Sequence, residues 1–127
     1  MSAMSDFLEN EILDHVLGTG SYTMPTIHIG LSTGSFGDDN SGTELSGSAY
    51  TRKTIAFAAA SSASAATNAT VTFPTATGSW GAVSHWGIFD ASTSGNLLIH
   101  GAFAAAKTIG NGDVLRINSG DLTVTAA

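Results

Sequence analysis

The chain contains no cysteine, which removes disulfide frameworks and zinc–thiolate sites from consideration. It is almost as short of positive charge: Arg52, Lys53, Lys107 and Arg116 are its only four basic side chains apart from histidine. Tight binding to a phosphate backbone needs many cations on one face, so DNA and RNA are not expected partners. Ten acidic residues bring the net charge to −6, and an acidic surface argues against docking on anionic membranes. The first residues hold neither a basic region nor a long apolar run, so neither a signal peptide nor a transmembrane helix is expected. Charged residues make up only 11% of the chain, against the usual quarter or about 25%.

Ser, Thr, Ala and Gly take the place of the missing charge. With 43% apolar residues, this is not a disordered composition, which combines low hydrophobicity with high charge. The 127 residues suit a single domain, 1–127, with one small core. A surface so poor in charge solvates weakly and tolerates burial against a neighbour, which suits a chain that works inside an assembly.

"SDFLENEILDHVLG" (5–18) predicts one helix over about 6–17. Asp6 followed by Glu9 resembles a capping box. Leu8, Ile12 and Val16, flanked by Leu13 and Leu17, form one apolar stripe, and Gly18 is a C-terminal stop. The stripe is expected to pack on the domain's own sheet. From about residue 26 onward the period changes from 3.6 to 2. "TIHIGLS" (26–32), "YTRKTIAF" (50–57, with a charged, exposed face) and "ATVTFP" (69–74) read as strands. "AVSHWGIFD" and "NLLIHGAF" read as a hairpin, and "DVLRI" and "DLTVT" as another, joined by Asn118-Ser119-Gly120. About six to eight short strands joined mostly by hairpins predict a mainly β fold. The expected architecture is a compact antiparallel β-sandwich or small barrel with one N-terminal α-helix.

Two stretches break the pattern. In "AAASSASAATNA" (58–69) alanine favours helix, while the hydroxyls and flanking strands favour strand–turn–strand with the turn at about Thr67-Asn68. The second reading is preferred. "STGSFGDDNSGTELSGS" (32–48) is a long polar loop, expected to be a contact or tip element rather than core.

Several residues invite a chemical reading. "GLSTG" (30–34) centres Ser32 in a G-x-S-x-G pattern, but the helix that must follow a nucleophile elbow is missing. Asp38, Asp39, Asn40 and Glu44 offer hard oxygen ligands for calcium, yet Asx residues equally serve turns. His28, His85 and His100 on strands and His15 on the helix could ligate a metal, but none has an acidic partner at a fixed spacing. Trp80 and Trp86 could stack on sugars, and core packing is the simpler account. No catalytic, cofactor-binding or metal-binding residue is therefore assigned, and no cofactor is expected.

"FLENEILDHVLG", "YTMPTIHIGLST", "GTELSGSAYTRKTIAF", "NATVTFPTAT", "WGAVSHWGIFDASTSGNLLIHGAF" and "KTIGNGDVLRINSGDLTVT" resemble successive blocks of a small bacteriophage virion protein family often labelled tail fibre. The similarity runs from about Phe7 to Thr125, and the block at 80–103 is its most specific part. The resemblance implies a virion structural protein on the outer surface of the particle, with no catalytic motif. The chain has no room for an elongated shaft. The expectation is therefore a capsid decoration (cement) protein that clamps the major capsid protein. The alternative is a tail fibre or tail-tip component contributing to host attachment through carbohydrate binding. In either case the expected partners are virion subunits, including copies of itself. With so little charge, those contacts should rest on main-chain bonds at strand edges and on small side chains.

Overall fold

The computed structural model describes residues 2–126, of which 36% are strand and 9% helix. A short strand β1 (Ser2–Met4) precedes the helix α1 (Asp6–Val16). Then follow β2 (His28–Ser32), β3 (Lys53–Thr54), β4 (Ser64–Ala66), β5 (Val71–Thr72), β6 (Gly81–Phe89), β7 (Leu97–Ile109), β8 (Arg116–Ile117) and β9 (Thr123–Thr125). One antiparallel sheet runs β1-β7-β6-β2-β3, and two small sheets pair β4 with β9 and β5 with β8. No closed barrel forms among the described residues, so of the two expected architectures the sandwich is the one that fits.

The two faces of the large sheet are covered differently. Ile29 and Leu31 on β2 alternate with Gly30, and Trp86 and Ile88 on β6 alternate with Gly87. The large side chains join Val71, Phe73, Leu115, Ile117 and Leu122 in the main core. On the opposite face Phe36 from the polar loop packs with Phe89 and Leu97 in a second, smaller cluster. Gly30 and Gly87 are cross-strand partners there. A Cβ on Gly87 would stand 3.1 Å from both the Phe36 and Phe89 rings, and one on Gly30 only 2.7 Å from the Glu44 carboxylate. The paired glycines thus clear a floor on which the loop lies.

Sequence expectation and structure part at several places. The strands do not begin at about 26, because β1 pairs with Ile99–Gly101 ahead of the helix. Three residues are too few to show a period. The helix is capped by Ser5, not Asp6: Ser5 Oγ accepts from the Leu8 N–H at 3.2 Å. Ser5 also donates its hydroxyl to the Leu97 carbonyl and its N–H to Leu98 O at 2.8 Å, tying the helix start to β7. The apolar stripe does not pack on the sheet as a whole. Only Leu8 is buried, while Leu13, Val16 and Leu17 are 55%, 71% and 70% exposed. Leu8 itself borders an apolar cleft of about 280 Å³ whose other walls include Tyr22, Pro25 and Ile27 of the returning segment and Ile88, Leu98 and Ile99 of the sheet.

The second expected hairpin does not form either. β8 pairs with β5, and β9 with β4. Thr67 stands where the chain crosses from one small sheet to the other, donating its N–H to Leu122 O at 3.0 Å and accepting from the Gly120 N–H at 2.7 Å. Of the strand–turn–strand expected over 58–69 only the second arm, β4, is a strand, and the turn before it lies at Ser62 and Ala63, with φ of 52° and 61°, closed by an isolated bridge between Ser61 and Ser64. Asn-Gly is the usual signal for that conformation, and it is absent here. Strand 50–57 shrinks to β3, and its Arg52 side chain is 6% exposed rather than solvated. Finally, the long loop is not all surface: Phe36 is 1% exposed.

Gly42 fixes the path of that loop. A Cβ there would stand 2.2 Å from Ser35 O and 2.7 Å from Phe36 Cα. These are backbone atoms, which cannot swing aside. Gly42→Ala is expected to destabilise the domain by about 1–3 kcal/mol, read as a lower urea midpoint. Gly34→Ala, whose Cβ meets nothing within 4 Å, serves as the neutral comparison.

Candidate functional site

The densest polar cluster stands where the long loop crosses the second face of the sheet. Arg52 grips Glu44 with two bonds, Nε to Oε2 at 2.9 Å and Nη2 to Oε1 at 2.7 Å. Its Nη1 donates to Ala91 O at 2.9 Å and Ser94 O at 2.8 Å, both in the β6–β7 turn. The guanidinium lies 3.6 Å from the centre of the Phe89 ring, a cation–π contact. Tyr50 completes the cluster: its hydroxyl donates to Glu44 Oε2 at 2.5 Å and accepts from the Leu31 N–H at 2.9 Å. One arginine therefore holds the loop, the hairpin turn and the sheet in fixed relation.

Above this cluster lies an open pocket of about 250 Å³. Its walls are residues 44–52 on one side and Ser92, Thr93 and Ser94 on the other. Glu44 is one of the calcium candidates of the sequence, whereas no motif marks Arg52. Period 2 could have found it, since alternation puts Tyr50 and Arg52 on one face of their segment, and a chain with four cations seldom buries one without a purpose.

Burial, and after it the Glu44 carboxylate, push the Tyr50 phenol far above its ordinary 10.0. The fold therefore favours the neutral phenol. That contribution is intact below the unfolded value and is lost as pH rises above it. Stability should fall as pH rises past about 10 and keep falling toward the raised folded value, and Tyr50→Phe should flatten the fall. An equally steep fall in the variant would contradict this assignment.

The other candidates are dispersed. Ser32 is buried; its Oγ donates to Thr43 O at 2.6 Å and accepts from the Gly34 N–H at 3.1 Å. It is a cross-strand partner of His85, whose Nδ1 instead lies 2.7 Å from Ser84 Oγ. His100 does meet an acid, with Nε2 2.6 Å from Asp38 Oδ1. A separation of 62 in residue number hides that pair from any argument on spacing. His15 Nδ1 accepts from the Tyr22 N–H at 3.3 Å, and His28 sits on β2 with its Nδ1 buried. Asp39 accepts from the Ser41 N–H at 3.1 Å, and bonds from Ser41 hold its carboxyl below the usual range. Asp38, Asp39 and Glu44 are thus committed to three different partners.

Trp80 and Trp86 lie in the main core, 5% and 3% exposed. Trp80 stands edge-on to Tyr50 at 5.6 Å and to Phe73 at 6.5 Å, and donates Nε1–H to Ser48 O at 3.0 Å. Neither indole offers a face to a sugar.

The described residues thus form a β-sandwich whose polar groups brace two loops around an open, hydroxyl-lined pocket. The family model described as "Podophage GP4 fiber I protein gp80" matches residues 3–125, and the chain belongs to this bacteriophage fibre protein family. It is a virion component. The comparison with curated proteins finds no match.

Proposed function

We propose that the protein is a non-enzymatic component of a tail fibre, carried on the outer surface of the particle, where it contributes to host attachment. The family match over residues 3–125 carries this reading. It favours the fibre alternative over the capsid decoration expected from size and composition, for which no feature of the fold adds support.

Within the fibre the protein is held by other virion subunits, including copies of itself. Two exposed surfaces support this. Leu13, Val16 and Leu17 near the helix end and Met24 beyond it are each more than half exposed, apolar side chains that a neighbouring subunit would cover with gain. Residues 104–108 of β7 are exposed throughout, and β1 spans only Ile99–Gly101 of that strand. Such an edge is a template for main-chain pairing.

The test is a comparison of complete particles with particles lacking the protein. The fibre reading predicts loss of adsorption to cells with unchanged heat stability of the packaged genome. Unimpaired adsorption with genome loss at lower temperature would return the capsid reading. Complete particles should also show no labelling of this chain by a serine-directed fluorophosphonate, since the Ser32 hydroxyl is engaged with Thr43 O.

A further inference from the structure

We propose that the pocket between residues 44–52 and 92–94 is a carbohydrate subsite that takes a vicinal diol of a neutral pyranose. This names a ligand class for the attachment role above and rests on that reading for its biological setting.

The pocket is built rather than incidental. Its two walls belong to separate loops, and Arg52 fixes both: it binds Glu44 on one side and the carbonyls of Ala91 and Ser94 on the other. Walls held in advance need not be ordered when a ligand arrives, which lowers the cost of binding. Five hydroxyl side chains line the space, those of Ser46, Thr51, Ser92, Thr93 and Ser94. Each both donates and accepts, as a sugar hydroxyl does.

Arg52 and Glu44 both line the pocket, and each keeps one hydrogen-bonding position to spare. A guanidinium has five N–H donors, and Arg52 uses one from Nε, two from Nη1 and one from Nη2. One N–H on Nη2 remains. An ionised carboxylate offers about four acceptor positions, and Glu44 uses two on Oε2 and one on Oε1. One position on Oε1 remains. The two spare capacities sit on atoms 2.7 Å apart, close to the separation of neighbouring hydroxyl oxygens on a pyranose ring. A vicinal diol can accept from the one and donate to the other.

Charge decides against an anionic ligand. The Arg52 cation is already neutralised by Glu44, and no other Lys or Arg lines the pocket. Size decides against a long apolar ligand, since about 250 Å³ is near the lower limit for small-molecule pockets. Tyr50 also lines the space.

The test is an amide chemical-shift titration of the full chain with methyl glycosides of glucose, galactose, mannose and N-acetylglucosamine. Tetrahydropyran-2-methanol, a ring without a diol, is the control. The expected result is saturable shifts confined to residues 44–52 and 92–94 for at least one glycoside, and none for the control. Thr93→Trp fills the mouth of the pocket from an exposed position and leaves Arg52 and Glu44 in place. It should weaken binding by about tenfold or more, a loss of about 1.4 kcal/mol. Absence of saturable shifts with every glycoside, equal shifts with the control, or undiminished shifts in Thr93→Trp would each overturn the proposal. None of these outcomes bears on whether the protein sits in a fibre, which is read on particles.

Discussion

Arg52→Met is expected to destabilise the domain by about 3 kcal/mol, a large share of the 5–15 kcal/mol that holds a domain of this size. The substitution keeps most of the aliphatic stem but removes four hydrogen bonds at once. It leaves Glu44, whose side chain is 24% exposed, with only the Tyr50 hydroxyl. Partial exposure of that carboxylate keeps the cost at the low end of the range for breaking a buried ion pair. The carbonyls of Ala91 and Ser94 lose their donor as well, so the β6–β7 turn loosens and exchanges its amides faster. Urea unfolding measures the cost, with an unchanged slope indicating a true stability effect. Lys107→Met, on an exposed stretch of β7, should stay within about 0.5 kcal/mol of the parent. A loss below about 1 kcal/mol for Arg52→Met would make the pair an ordinary surface ion pair and remove the physical basis for a braced pocket.

Trp80→Ala is expected to cost about 3–5 kcal/mol and to leave the chain largely unfolded at growth temperature. The indole is 5% exposed and packs edge-on against Tyr50 and Phe73. Its removal opens a cavity in the main core and leaves Ser48 O without its donor. Trp80→Phe should recover most of the packing and cost less. Thermal unfolding of both variants separates a core role from a surface one. Were Trp80 a sugar platform, the alanine variant would fold normally and fail only in attachment.

How much of this was legible in the sequence depended on the range of the interactions involved. The helix extent followed from the 3.6-residue stripe and Gly18, and α1 ends at Val16, beside the expected limit. The β6–β7 hairpin followed from alternation on both sides of Ser94-Gly95-Asn96, where Gly95 does adopt a φ of 73°. Local signals sufficed in both cases. They failed where partners lie far apart along the chain. Ser5 became the cap because Leu97 and Leu98 offered carbonyls across 92 or more residues. The stripe is half uncovered, which its period alone does not reveal, since burial of a helix face depends on what distant segments present to it. The "GLSTG" motif draws attention to its serine, whereas its first glycine, Gly30, has the sterically demanding position opposite Gly87. Arg52 looked like a solvated strand residue because nothing in its neighbourhood announces the carbonyls it binds 39 and 42 residues later.

The central claim is that this chain works as part of a tail fibre. The most direct measurement is electron microscopy of intact particles decorated with gold-conjugated antibody raised against the folded protein. The account predicts label confined to appendages at the tail vertex, in a small and constant number per particle. Label spread evenly over the icosahedral shell would contradict it and make the protein a capsid decoration instead.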